Sequence, residues 1–305
     1  MRRRKNSWGL LPYEREDLHG LSSDSGQYLG WEITKFDIQN LWNYATGRGV
    51  VVAVIDTGCD LNHNDLKDNI IEGKNFIELG QDPTDHNGHG THVSGTIAAC
   101  NNNKGMVGVA PETKIMPLKA LNDEGQGDPE AIAKAVIYAA DRRADFITMS
   151  LGSPSPFIGI EKAIKYAASK GIVTFCAAGN AGERSPIMYP AKYSEVICIG
   201  AIDKNFNRTS FSCSGEELDF LAPGHEIVST VPNNGYAIMS GTSMSNPFAV
   251  GCASLLLSHN INNKTKLATS DDYIDIFKKL SKHLSDPKYA GKKEYEGYGI
   301  LYPVI

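Results

Sequence analysis

From residue 50 onward, short runs of β-branched and apolar residues alternate with stretches that repeat at helical spacing. Val51-Val52-Ala53-Val54-Ile55, Phe146–Leu151, Ile172–Ala177 and Val196–Ala201 carry apolar residues on both faces. Strands of that kind are covered on both faces. Ile115–Leu121 reads as a further strand, weakened by Pro117. Between the runs lie helices. Asp128-Pro129 supplies a cap and a proline at the first helical position, followed by a stripe at Ile132, Val136, Ile137 and Ala140. A second stripe, Ile160, Ala163, Ile164 and Ala167, ends at Gly171, a C′ residue. This alternation predicts an α/β fold with a largely parallel central sheet and helices on both faces. Ligands of such sheets bind beyond the carboxyl ends of the strands.

A chain of 305 residues with 41% hydrophobic and 21% charged residues can form one large domain of this kind. The net charge of -5 gives no electrostatic case for nucleic-acid binding. No apolar run has the length of a membrane span, and no signal-like apolar stretch follows Arg2–Lys5. Six scattered cysteines without CxxC spacing favour reduced core thiols in a cytoplasmic protein over a disulfide framework. Residues 1–25 are polar, glycine-rich and aperiodic apart from Leu10-Leu11-Pro12-Tyr13, and they read as an appendage to a domain spanning 26–305.

Four segments carry candidate chemistry at strand ends or helix starts. Asp56 closes VVAVIDTG; His89 sits between glycines in NGHGTHVSGTIAA; Asn180 ends AAGN; Ser243 opens an apolar, small-residue helix in GTSMSNP. Serine-mediated amide hydrolysis needs a hydroxyl, a base held in one tautomer, and donors for the oxyanion. Each residue also has an ordinary reading: a turn Asp, a loop Asn, a cap Ser. His86, His89 and His92 are spaced by three, but without an HExxH a metal site is the weaker reading. An esterase would show a G-x-S-x-G elbow and the order Ser…Asp…His, and Ser243 has neither.

Together with VGVAP at 107–111, MSLG at 149–152 and LAPG at 221–224, these segments resemble the subtilisin family from about residue 42 to 302. The resemblance implies a serine endopeptidase acting on protein or peptide substrates, with Ser243 as nucleophile, His89 as base and Asp56 orienting it. Asn180 and the Ser243 N–H would form the oxyanion hole. Substrate would lie extended between Gly125-Gln126-Gly127 and Ser150-Leu151-Gly152, with glycines where side chains would obstruct it. Leu151, Ala178 and Gly179 would wall an apolar specificity pocket. Calcium is implied at Asp65, Asn102 and the carbonyls of Cys100, Lys104 and Met106, with Gln27 as a further ligand; the ordinary reading is an Asn-rich surface turn.

The branch it resembles most is the intracellular subtilisins, by DTGCD at 56–60, the Leu-Leu-Pro-Tyr segment and the ending at 297–302. That branch implies an N-terminal extension lying across the active site and removed on activation, with Pro12 kinking it. It also implies a homodimer, which the short C-terminus weakens. The rival is a regulatory module that kept the fold without catalysis, against which the four intact residues stand. Two departures are noted: Asn246, Phe248 and Ala249 after the serine, and Ala181 where an acidic pocket-rim residue is common.

Overall fold

The computed structural model describes residues 7–18, 26–262, 267 and 269–303. In chain order the strands are β1 (Trp8–Leu10), β2 (Glu14–Asp17), β3 (Val51–Asp56), β4 (Lys74–Asn75), β5 (Lys114–Lys119), β6 (Gln126–Gly127) and β7 (Phe146–Met149). They continue as β8 (Leu151–Gly152), β9 (Val173–Ala177), β10 (Val196–Ile202), β11 (Phe220–Pro223), β12 (Ile227–Val231) and β13 (Gly235–Ser240). Seven of them form one sheet in the order β11-β10-β9-β7-β3-β5-β4, every neighbouring pair parallel. The chain order reverses at β3, so the crevice beyond its carboxyl end is where such a sheet places its site. Asp56 stands there.

The main helices are α1 (His89–Ala98), α2 (Pro129–Asp141), α3 (Ile158–Ser169), α4 (Thr242–Asn262) and α5 (Ser270–Leu280). The α2–α3 pair packs on one face of the sheet, and α1 and α4 pack together on the other. Asp128 caps α2, its carboxylate accepting from Glu130 N at 3.2 Å, and Gly171 follows α3 with φ +78°. Helix α4 is buried around its whole circumference through Leu257, as its unbroken apolar and small composition requires. No helix among the described residues is long and apolar enough to cross a membrane.

Pro117 does lie inside a strand. Lys114 N bonds Val50 O and Ile115 N bonds Asn69 O, so odd-numbered residues of β5 turn their nitrogens away from β3. On that side β4 pairs only with Leu118 and Lys119. The missing N–H of Pro117 therefore falls in the gap between the Ile70–Ile115 bridge and the pairing with β4.

The reading of residues 1–25 as outside the core needs correction within 7–18. Trp8 and Leu11 are each only 2% exposed, and Trp8 belongs to the main core cluster. Strand β1 is the middle strand of an antiparallel sheet β6-β1-β8, and β2 is the outer strand of β12-β13-β2. Two short strands escape periodicity because their partners lie more than a hundred residues away. All six cysteines are free, five of them buried.

Candidate active site

Asp56 and His89 are joined by glycine and by a buried acid. His89 is the first residue of α1, and its Nδ1 lies 2.9 and 3.0 Å from the two Asp56 oxygens, both side chains fully buried. A Cβ on Gly90 would stand 2.2 Å from Gly58 O, so only glycine lets the helix start this close to the turn after Asp56. Asp85, which motif reading missed, ties the same pieces together. Its carboxylate accepts from Thr57 Oγ1, Asn87 N, Gly88 N, Thr91 N and Thr91 Oγ1, at 2.6–2.9 Å. Thr57 Oγ1 in turn accepts from Gly90 N at 3.0 Å. His89 Nε2 has no hydrogen-bond partner among the described residues.

Ser243 is the second residue of α4. Pro247 inside that helix has no N–H to offer the Ser243 carbonyl four residues back. The Ser150 hydroxyl donates to that carbonyl instead, at 3.0 Å, and the Ser243 hydroxyl donates to Ser150 O at 3.2 Å. This reciprocal pair fixes the serine beside the β7–β8 junction. The structure thus brings Asp56 and His89 into contact, while Ser243 Oγ is hydrogen-bonded to Ser150 and not to His89.

Asn180 is oriented by Thr242, a second residue the motifs did not single out. Thr242 N and Oγ1 donate to Asn180 Oδ1 at 2.9 and 2.8 Å, which turns the amide nitrogen into the cleft. There Nδ2 donates to Pro12 O at 2.7 Å.

The expected substrate strands hold the chain's own N-terminal segment. Gly9 pairs with Gln126 and Gly152, Leu10 with Leu151, and Trp8 with Gly127. A Cβ on Gly125 would lie 2.6 Å from Leu10 Cδ1, and one on Gly152 2.8 Å from Leu11 Cδ2. These two glycines let the segment approach. Gly127 differs from expectation: its missing side chain makes room for Leu121 and Ala120 O of the domain itself. Ala178 is buried, and a Cβ on Gly179 would meet Cys213 Sγ and Met188 Cγ. Met188 also lies beside Gly152, where an added Cβ would stand 3.4 Å from Met188 Cβ. The Tyr13 ring sits 5.0 Å from the His89 ring.

The three histidines do not converge on a metal. His92 Nε2 faces Ile227 O and Ala237 O, and burial pushes its pKa down to about 3, which keeps it neutral. Among the described residues no group of three His, Cys, Asp or Glu could hold an ion.

The expected calcium ligands are gathered differently. Gln27 Nε2 donates to Cys100 O, Lys104 O and Met106 O at 2.8, 3.3 and 3.5 Å, so three carbonyls point at one place. Asp65 flanks it, buried, accepting from Asn102 Nδ2, Met106 N and Tyr236 OH. Convergent carbonyls beside a carboxylate fit a hard cation. Exchanging the two ends of the Gln27 amide would add a further oxygen.

Of the departures after the serine, Asn246 is buried and donates to Thr148 Oγ1 at 2.8 Å, tying α4 to β7. Phe248 packs edge-on against Phe36 at 5.0 Å. Neither displaces Ser243.

With this geometry in view, comparison with known proteins is direct. The model of the subtilase family matches residues 47–299. An intracellular serine protease of Paenibacillus polymyxa is 42% identical over 86% of this chain and 81% of its own length. The major intracellular serine protease of Bacillus subtilis (strain 168) is 41% identical over 84% and 82%. Thermitase of Thermoactinomyces vulgaris is 42% identical over 73% and 80%. The chain belongs to the subtilase family.

Proposed function

We propose that the chain is a serine endopeptidase working through an acyl-enzyme on Ser243. The observation that carries this is the buried Asp56–His89 pair opening onto a cleft where an extended segment presents a carbonyl to Asn180. Asp56 holds the Nδ1–H of His89, which leaves Nε2 as the free base. Ser243 Oγ swings from the Ser150 carbonyl to Nε2, gives up its proton and attacks the substrate carbonyl. Asn180 Nδ2 and the Ser243 N–H receive the oxyanion. His89 then protonates the leaving amine, and water hydrolyses the ester by the reverse steps. The test is digestion of casein by the purified chain. New peptides in its mass spectrum are expected; hydrolysis of simple esters alone, or of nothing, contradicts the reading. Cytoplasmic location fits the free thiols and the relatives named intracellular.

Residues 1–25 act in this reading as an inhibitory propeptide. Leu11 fills the space beside Gly152, yet the carbonyl bonded to Asn180 belongs to Pro12, one residue further on. A productive substrate needs the carbonyl of the pocket-filling residue at that donor. The offset, with proline following the pocket residue, withholds a cleavable bond. Intact-mass measurement over time is expected to show wild type losing the segment, with Pro12→Ala losing it faster. Full activity with the N-terminus retained contradicts this role.

Calcium would be held by Asp65, Asn102, Gln27 and the carbonyls of Cys100, Lys104 and Met106, where it would neutralise Asp65 and pin the 100–106 loop. Ligand at a hundred times its Kd stabilises a fold by about 2.7 kcal/mol. At roughly 2–4 °C per kcal/mol, chelation is expected to lower Tm by roughly 5–10 °C. An unchanged Tm with chelator, or the same shift in Asp65→Asn, contradicts the assignment.

A further inference from the structure

We infer that the Lys119–Asp123 ion pair is a positioning couple for the reaction. It sets where the acyl half of an extended substrate lies relative to the Asp56–His89 pair. The inference rests on the peptidase reading above and assigns two further residues to it. Lys119 ends β5 and stands opposite Asp56 in the parallel ladder. Its side chain is 4% exposed, and its ammonium donates to Thr57 O at 2.8 Å and to Asp123 Oδ1 at 2.6 Å. Among the described residues it has no third acceptor.

Three observations make this more than an ion pair of the fold. First, its two ends belong to different parts of the cleft. Thr57 gives its own N–H to Asp56 Oδ1 at 2.8 Å, and its hydroxyl accepts from Gly90 N at 3.0 Å. Asp123 belongs to the turn that carries the acyl-side wall. That turn is closed by Gly125 N to Asn122 O, Asn122 N to Gln126 O and Gln126 N to Asn122 Oδ1. It presents Gly125 O to Leu10 N at 2.8 Å, and β6 to Trp8 and Gly9. A substrate lying where the N-terminal segment lies would add to the same wall.

Second, Asp123 is tied twice. Its carbonyl accepts from Asn87 Nδ2 at 2.8 Å, and Asn87 Oδ1 accepts from His89 N at 3.2 Å. The wall is thus fastened through Lys119 to the turn after Asp56, and through Asn87 to the first residue of α1. Third, apolar packing does little to hold the turn, because Asn122, Asp123, Glu124 and Gln126 are all partly or fully exposed. Its place depends on polar ties.

An exposed ion pair would contribute little. Here the cation is buried, and removal of the carboxylate leaves it with one carbonyl. The ammonium must then turn towards water, which pulls on Thr57 and frees the turn. A substrate held along β6 inherits the shift of the wall, so its scissile carbonyl is misplaced from Ser243. A substrate with a single acyl residue ends before the wall and does not inherit it.

The test uses the full chain brought to constant specific activity, with active molecules counted by fluorophosphonate labelling. Two chromogenic substrates share one leaving group and one pocket residue. One has a single acyl residue, and the other is long enough to reach β6. We expect Asp123→Ala to lower the long-to-short ratio of kcat/KM at least about tenfold, mainly through kcat of the long substrate. Lys119→Met, which fills the same space without charge, should lower the ratio by a similar factor. The double variant should fall no further than either alone. A merely destabilised variant loses active molecules and leaves the ratio where it was. An unchanged ratio in Asp123→Ala, or effects that multiply in the double variant, overturns this inference and leaves the peptidase reading standing. If Lys119→Met fails to fold, Asp123→Ala decides alone, since its carboxylate is half-exposed. A wild-type chain that cleaves neither substrate overturns both.

Discussion

Replacing Ser243 by alanine is expected to abolish peptide hydrolysis, a loss of about a millionfold in kcat. That size is the one measured in subtilisins themselves and is not read from this geometry. What the geometry adds is the expectation that the fold survives. Among the described residues the hydroxyl makes one hydrogen bond, to Ser150 O at 3.2 Å, and its loss costs about 1 kcal/mol. The helix start is held independently, because Ser150 Oγ still reaches the residue-243 carbonyl and Thr242 still holds Asn180. Casein digestion and thermal unfolding measured together therefore separate chemistry from folding. Activity near wild type would remove Ser243 as nucleophile, and a collapsed Tm would make the variant uninformative about chemistry and wrong about packing. The same variant should keep its complete N-terminus on storage.

Asp56→Asn is expected to lower kcat by about ten-thousandfold with little change in KM. The Asp56 carboxylate accepts from both His89 Nδ1 and Thr57 N, and the pair is fully buried. An amide turned to keep the Thr57 bond presents its NH2 to the imidazole. The oxygen that keeps the Thr57 bond stays 2.9 Å from Nδ1 while the NH2 stands 3.0 Å away. The neutral side chain therefore no longer stabilises the imidazolium, and its NH2 favours the tautomer protonated on Nε2, the wrong one for a base. Because the shape is conserved, substrate binding should persist. Steady-state kinetics on one peptide across pH checks this. An Asn variant within about tenfold of wild type would mean that Asp56 does not set the tautomer.

Much of this arrangement is legible in the chain because it lies in local text. Strands such as Val51–Asp56 and Val196–Ile202 are apolar on both faces, and Asp128-Pro129 announces a helix by its own chemistry. Asp56, His89, Asn180 and Ser243 stand at the ends of such elements. What is hidden depends on partners remote in sequence. Asp85 and Thr242 act on groups that meet them only after folding. Pro247 would be expected to break α4, and it is tolerated because Ser150, at the β7–β8 junction, satisfies the carbonyl it frees. Pro117 is tolerated because β4 is short. The N-terminal strands are hidden most thoroughly. Their polar text gives no period, and what holds β2 is backbone, which composition does not record.

The account stands or falls on which hydroxyl attacks. The most direct measurement is mass-spectrometric mapping of the adduct formed when the activated chain meets a fluorophosphonate. The expected result is one phosphonyl group per active molecule, on Ser243, and none in Asp56→Asn on the same timescale. A modified residue elsewhere, or no adduct from protein that digests casein, would contradict it.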